Sequence, residues 1–385
     1  MTTDLIKPYP GEDEISFAKR RAYFFRFMKH RLAYGEEVIG RYMPNGVPIT
    51  PAEKEEIDDF WNQYLTPQMR DLFIDYRYYN VFKKVLKPGQ RLCYYIPDAF
   101  YNSYLDDYFT NPQESRPCNH KNFYDMLFCG AKQPKTVFRK MCGIYLDGDY
   151  KEISLKEAIS RSKDAGEVVL KIGKNSSGGK GVIFWNPTVD DEEKLINFLN
   201  SSNDILCQVA IKQHEDLSIL NPTSINTLRM LTFYFNNKVY MLSSFIRFGA
   251  EGSRLDNINS GGFACGVDSD GRLKNVAVDI TGAQIDYRPQ GKCLNEIIVP
   301  NYDKCVELVT DLAKRFVIIT RMIGWDIAVD ENANPVVIEF GPSYCGCNFH
   351  QLCNGPVFGD LTPDVMKDFF SNNYTMNNII KSLER

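Results

Sequence analysis

The sequence predicts an α+β fold carrying a mostly helical N-terminal unit. Three observations predict it. Residues 1–116 are rich in aromatic and charged residues at mixed three- and four-residue spacings, as in amphipathic helices. From about residue 117, short β-branched runs alternate with helical segments bearing cap signals. Hairpin signals such as Asn236-Asn237-Lys238 fall among those strands, so the pairing is not purely parallel. At 385 residues the chain exceeds one simple core. The expected division is a helical unit over 1–116, two α+β subdomains over 117–204 and 205–360, and a helical tail over 361–385.

In the N-terminal unit, Arg20-Arg21-Ala22-Tyr23-Phe24-Phe25-Arg26-Phe27 leads to Trp61, Tyr64, Phe73, Tyr76, Tyr78 and Tyr79. Such a stripe is expected to form core rather than a stacking surface. Thr50 before Pro51 and a run of acids marks a helix start. Farther on, 124–130 reads as a short helix ended by Gly130, and 154–164 as a helix with Ser154 and Glu157 in capping-box positions. Strands are expected at 168–172, 182–185, 205–211, 228–235 and 239–246. Helices are expected at 190–200 and 302–322, then strands at 325–329 and 336–340 about a turn-rich connection. There is no internal repeat.

Composition narrows the function classes. Hydrophobic residues are 44% and charged residues 24%, ordinary for a globular protein. The net charge of −4 offers no basic excess for nucleic acid or an anionic membrane. No apolar run approaches a membrane span. The polar, acidic start MTTDLIKPYPGEDE lacks a signal-peptide core, and 11 cysteines are scattered from Cys93 to Cys353. The expectation is a reducing cytoplasm and free thiols.

The most informative segment runs from Lys171 through Gly173 and Lys174 to Ser176-Ser177-Gly178-Gly179-Lys180-Gly181. Small residues let backbone amides approach an anion, and three lysines surround them. It is not a P-loop. That spacing requires lysine at 179, where Gly179 stands, and Val182-Ile183-Phe184-Trp185 follows as a strand rather than a helix. The residues alone leave two readings, a phosphate cover and a flexible hairpin.

Asp326 and Glu339 each stand amid apolar strand residues, where a carboxylate needs a partner, hydrogen bonds or a metal. Two on neighbouring strands suit a hard cation; the rival is one paired structural acid and one strand-end acid. Cys345, Cys347, His350 and Cys353 offer zinc-type ligands, but the Cys-x-Cys spacing is not the usual knuckle, and a loop closing a site is expected instead.

Taken together, these stretches resemble the ATP-grasp fold, and within it the sugar-transfer-associated ATP-grasp family. The resemblance covers about residues 115–360. It is carried by Ser224-Ile225-Asn226-Thr227-Leu228-Arg229, Ser244-Phe245-Ile246-Arg247-Phe248-Gly249, Asp256-Asn257, Gly261-Gly262, Gly324-Trp325-Asp326 and Glu339. It implies two α+β subdomains gripping ATP. Lys121 and Lys171 would meet the nucleotide phosphates, and Ser176 to Gly181 would fold over them. Gln208, Val209, Ala210 and Ile211 would hold adenine through their backbone. Arg229 and Arg247 would face the transferred phosphate and a carboxylate substrate. Asn257 resembles the asparagine of an Asn…Gly-Gly motif, and Asp326 and Glu339 would hold Mg²⁺. One position departs from the pattern: an asparagine two residues after the glutamate is usual, and Gly341 stands here. Asn348, or a water, is the replacement expected.

The function implied is an ATP- and Mg²⁺-dependent ligase. It would activate a small carboxylate, such as a sugar acid or sugar nucleotide, as an acylphosphate and join it to an amine in polysaccharide or sugar modification. His214, beside the hinge, is read as structural. The rivals are a kinase acting on a sugar or polyol hydroxyl, a nucleotide-binding scaffold without turnover, and a structural protein using the aromatic unit as a contact surface.

Overall fold

Thr50 caps the helix Pro51–Trp61. Its hydroxyl accepts from the Glu53 amide at 3.3 Å, while the Glu53 carboxylate accepts from the Thr50 amide at 2.6 Å. Ser154 caps Leu155–Ala165 by accepting from the Glu157 amide at 3.1 Å. There the Glu157 carboxylate turns to Arg161, at 2.7 Å, so only half of the expected box forms. A computed structural model of the chain describes residues 7–8, 10–42, 46–174 and 181–373.

The chain forms two compact units. The first is built from the described parts of Met1–Asn111, Ala277–Ile285 and Ser343–Arg385. Helices Glu14–Tyr42, Pro51–Trp61, Pro67–Phe73 and Arg77–Val85 supply an aromatic core. Trp61 is buried, donates to the Tyr79 hydroxyl at 2.8 Å and meets the Phe100 ring edge-on at 5.2 Å. Helices Asn348–Asn354 and Thr362–Asn372 pack into the same core. The Gln351 side chain exchanges two hydrogen bonds with the Ile96 backbone, at 2.8 and 2.9 Å, and Phe370 stacks on Tyr64 at 5.2 Å.

The second unit, Pro112–Val276 with Asp286–Pro342, contains two antiparallel sheets. The first comprises β1 (Thr136–Met141), β2 (Ile144–Asp147), β3 (Val168–Ile172), β4 (Val182–Trp185) and β5 (Ile205–Val209), in the order β2-β1-β5-β3-β4. Helices Leu155–Ala165 and Glu192–Asn200 contribute Ala158, Leu195 and Leu199 to a core with Val168, Leu170 and Trp185. Strand side chains alternate, so Lys171 leaves the opposite face of β3 from Leu170.

The second sheet comprises β6 (Leu228–Phe235), β7 (Lys238–Phe248), β8 (Phe263–Val267), β9 (Leu273–Val278), β10 (Gln284–Ile285), β11 (Met322–Val329) and β12 (Pro335–Gly341), of which β10 and the last two residues of β9 are counted with the first unit. Within this unit the order is β9-β8-β7-β6-β11-β12, and β10 pairs with the end of β9. On one face Trp325, Phe340, Phe316 and Phe128 pack ring to ring, with Phe316 and Phe340 at 4.8 Å. The same alternation sends Asp326 and Glu339 to the other face. The helix expected over 302–322 ends earlier, as Tyr302–Lys314. Its β-branched continuation, Val317-Ile318-Ile319-Thr320, closes in turns onto the Phe316 carbonyl, and Met322 already starts β11.

Candidate active site

Three adjacent strands place charge in one row. Asp326 on β11 lies opposite Arg229 on β6 and opposite Glu339 on β12. Directly paired residues share a face and sit within side-chain reach. One strand farther, the Arg247 amide on β7 donates to the Thr227 carbonyl at 2.8 Å, which brings Arg247 to the same face. Asp326 then meets two guanidinium groups. Its Oδ1 accepts from Arg229 Nη1 at 3.0 Å and its Oδ2 from Arg247 Nη2 at 2.8 Å. Burial alone would push this carboxyl up, but Arg247 and Arg229 hold it below the usual carboxylate range.

Lys121 reaches the row from outside either sheet. Its segment, Lys121–Phe123, is a single 3₁₀ turn tied down at several points. The Lys121 amide donates to the Gly173 carbonyl at 2.8 Å, and Asn122 Nδ2 donates to the Lys140 carbonyl at 3.0 Å. Arg139 Nη1 donates to the Asn122 carbonyl at 3.1 Å, and the Tyr124 hydroxyl to the Phe340 carbonyl at 3.2 Å. So fixed, Lys121 Nζ stands 3.1 Å from Glu339 Oε1. Lys171 lies in the same field. Burial lowers its ammonium to about 8, with Glu339 opposing and Lys121 reinforcing the shift. The residues expected to carry phosphate and metal therefore converge: Lys121, Lys171, Arg229 and Arg247 face Asp326 and Glu339.

The remaining expected residues are placed differently. Ser176, Ser177, Gly178, Gly179 and Lys180 lie outside the described residues. Gly181 follows them with φ +73°, and a Cβ there would come within 2.7 Å of the Ile172 side chain. At the root of that loop, Lys174 pairs with Asp204 at 2.7 Å, and His120 Nε2 lies 3.4 Å from the same carboxylate. Gln208 donates through Nε2 to the Pro134 carbonyl at 3.2 Å. The Val209 and Ala210 amides donate to Lys135 and Glu167 carbonyls, while the Ile211 amide has no protein acceptor among the described residues. The Asn257 side chain accepts from the Asn259 amide at 2.8 Å within its own turn. Asn348 opens the helix Asn348–Asn354 of the first unit. His214 caps a short helix, accepting from the Asp216 amide at 3.2 Å.

Two further residues complete the arginine pair. Arg247 Nη2 donates to Thr227 Oγ1 at 2.8 Å, and Arg247 Nε lies 3.4 Å from Asp256 Oδ2. The Thr227 hydroxyl in turn donates to Asp256. Burial raises the Asp256 carboxyl, with Arg247 and Thr227 opposing. Both stand in motif stretches visible in the sequence, but their pairing joins residues 29 apart and needs the fold. Asp204 carries no sequence signal of its own.

Two antiparallel sheets, one bearing a lysine beside a glycine-rich connection and the other a strand-borne pair of acids, define an ATP-grasp protein. The chain belongs to the sugar-transfer associated ATP-grasp family, whose defining pattern matches residues 126–366. No curated protein matches it. Among solved structures, an L-amino acid ligase from Bacillus licheniformis is similar at 16% identity and a TM-score of 0.38, over 67% of this chain and 48% of that one. D-alanyl-alanine synthetase A from Vibrio cholerae is similar at 12% identity and 0.38, over 71% and 68%. D-alanine–D-alanine ligase from Bacillus anthracis is similar at 14% identity and 0.36, over 71% and 69%. This chain thus spans about half the length of the Bacillus licheniformis ligase, at 48%. Among the described residues no helix is long and apolar enough to cross a membrane.

Proposed function

We propose that this chain is an ATP- and Mg²⁺-dependent ligase that activates a small-molecule carboxylate as an acylphosphate and joins it to an amine. The carrying observation is the convergence of Lys121 on Glu339, at 3.1 Å, beside an Asp326 gripped by Arg229 and Arg247. Lysines and arginines from four separate segments have no structural need to meet two strand-borne acids. A site for a polyanion and its cation needs both signs together.

The donor set fits a hard cation. Glu339 is ion-paired at one oxygen only, to Lys121, among the described residues, and Asp326 stands opposite it in the ladder. Bound Mg²⁺ would neutralise phosphate oxygens and orient the transferred group. Lys121 and Lys171 hold the β- and γ-phosphate oxygens, and the segment from Ser176 to Gly181 covers them from water. Gln208 to Ile211 hold adenine, with the Ile211 amide as donor. The carboxylate attacks the γ-phosphorus, the bond to the bridging oxygen breaks, and ADP leaves. Arg229 and Arg247 steady the negative charge as it develops. The amine then attacks the acyl carbon and phosphate departs. Asn257 borders the acceptor side. The family points to a sugar acid or sugar nucleotide as carboxylate, and eleven free thiols suit a cytoplasmic site of action.

A second reading has one observation behind it. Both Asp326 oxygens are engaged by arginines, which favours a nucleotide-binding scaffold without turnover. Incubation with ATP, Mg²⁺, pooled sugar acids and pooled amines separates the two. The ligase yields ADP together with a condensed mass, and Glu339→Gln lowers ADP release about 10²–10³-fold. Nucleotide binding without ADP from any pool supports the scaffold. Unchanged ADP release by Glu339→Gln sinks the site assignment.

A further inference from the structure

A carboxylate meant only for a metal would keep an oxygen available. On Asp326 each oxygen is already engaged by a cation: Oδ1 accepts from Arg229 and Oδ2 from Arg247. Two charge-assisted hydrogen bonds in this geometry leave little for a cation. The arrangement has space made for it. A Cβ on Gly324 would come within 2.7 Å of Arg229 Nη2, and one on Gly341 would lie 3.7 Å from the same atom. Gly324 thus clears the volume that the Arg229 guanidinium fills, and Gly341 stands beside it at contact distance.

Arg247 does not depend on Asp326 for its position. Thr227 accepts from it at 2.8 Å, and Asp256 lies 3.4 Å from its Nε. Were Asp326 to swing away, this guanidinium would stay, beside that of Arg229. Two guanidinium groups on one face form a seat for an oxyanion, and a carboxylate group occupies it now.

We infer that Asp326 is a place-holder: it fills an oxyanion seat built by Arg229 and Arg247, and becomes a metal ligand only when a carboxylate or phosphoryl group takes that seat. The inference rests on the ligase reading of the site. It turns two separate requirements into one. The substrate's oxyanion displaces Asp326 from the arginines, and the released carboxylate joins Glu339 around the cation. Metal and oxyanion then bind with positive coupling, and linkage makes the coupling factor the same in both directions.

The test uses Mn²⁺ as a paramagnetic probe and reads free Mn²⁺ by electron paramagnetic resonance, with matched blanks for Mn²⁺ and anion alone. Inorganic phosphate and acetate are added in separate arms. We expect either anion at saturation to tighten Mn²⁺ about tenfold, and Mn²⁺ to tighten that anion by the same factor. Coupling to phosphate alone assigns the seat to the transferred phosphoryl group; coupling to acetate assigns it to the substrate carboxylate. Gly324→Ala should push the Arg229 side chain off Asp326 without deleting its charge. It should tighten Mn²⁺ in the absence of any anion and shrink the coupling. Arg247→Ala should do the same more strongly, with near-ultraviolet circular dichroism reporting its fold. Equal Mn²⁺ affinity with and without both anions overturns the inference, as does unchanged Mn²⁺ affinity in folded Gly324→Ala. Calorimetry with MgADP keeps the two ideas apart. Nucleotide binding without coupling removes the place-holder and leaves the ligase reading; coupling without nucleotide binding does the reverse.

Discussion

Two buried aspartates, one in each unit, show how the two regions handle the same problem. Asp106, in the aromatic unit, is fully buried with no cation among its hydrogen-bond partners in the described residues. Its carboxylate accepts from the Tyr344 amide at 2.9 Å, the Cys345 amide at 3.2 Å and the Thr110 hydroxyl at 3.3 Å. Burial outweighs these bonds and pushes the group up to about 6. Asp326, 5% exposed, faces two arginines and is pulled the other way. Burial alone therefore does not decide whether an aspartate keeps its charge; the partners do. Asp106 shapes a loop, and backbone amides suffice. Asp326 sits where opposite charges have been collected on one sheet face.

The largest test of this contrast is Asp326→Ala. It leaves two guanidinium groups facing each other across a buried gap, and breaking a buried pair in this way costs about 3–5 kcal/mol. Asp106→Ala takes the carboxylate acceptor from two backbone amides, those of Tyr344 and Cys345, a loss of about 1–3 kcal/mol. Urea denaturation at pH 7 measures both. Equal losses would mean that Asp326 acts as one more structural acceptor and that the arginines find solvent without it.

How much of this was legible in the sequence follows from the range of each signal. The strands β3, β4 and β6 were, because runs of β-branched, aromatic and other apolar residues are a local signal. Asp326 and Glu339 stood out for a related reason: a charge inside an apolar strand announces that it needs a partner. Which partner was not legible. Arg229 and Asp326 are 97 residues apart and meet only through strand register. Lys121 stands in one 3₁₀ turn without periodicity, so only the family resemblance singled it out. Gly341 read as a missing ligand, whereas the structure places it beside the Arg229 guanidinium. The packing of helices Asn348–Asn354 and Thr362–Asn372 with the N-terminal helices depended on Gln351 finding Ile96, 255 residues away. Nothing in either segment specifies that.

A smaller effect sharpens the comparison from the Asp106 side. The ordinary value of an aspartate, 3.8, rises here to about 6, so the fold prefers the protonated carboxyl. That preference stabilises fully below pH 3.8 and is lost as pH rises through about 6. At neutral pH the ionised group then costs on the order of 2–3 kcal/mol. Asp106→Asn cannot ionise. Its stability relative to the unsubstituted protein should rise by that amount between pH 4 and pH 7.5, whatever fixed cost the amide brings. Parallel pH profiles for the two proteins, measured by urea denaturation, would show that Asp106 remains charged throughout.

Lys171 brings the same physics to the site with the opposite sign, and its effect is the smallest. Burial lowers this ammonium from 10.5 to about 8, against the pull of Glu339. Below that value Lys171 is a cation; above it, a neutral amine. With ATP as the varied substrate, kcat/KM reports the free protein and should fall about tenfold per pH unit above 8. Lys171→Arg separates this group from any other titrating nearby, because a guanidinium keeps its charge throughout the range. The variant will bind less well in absolute terms, since a planar guanidinium does not reproduce the contacts of a compact ammonium. Its alkaline limb should nevertheless move beyond pH 9. A limb still near 8 in Lys171→Arg would assign the titration elsewhere and leave Lys171 charged at every pH, held by Glu339 more firmly than burial opposes it.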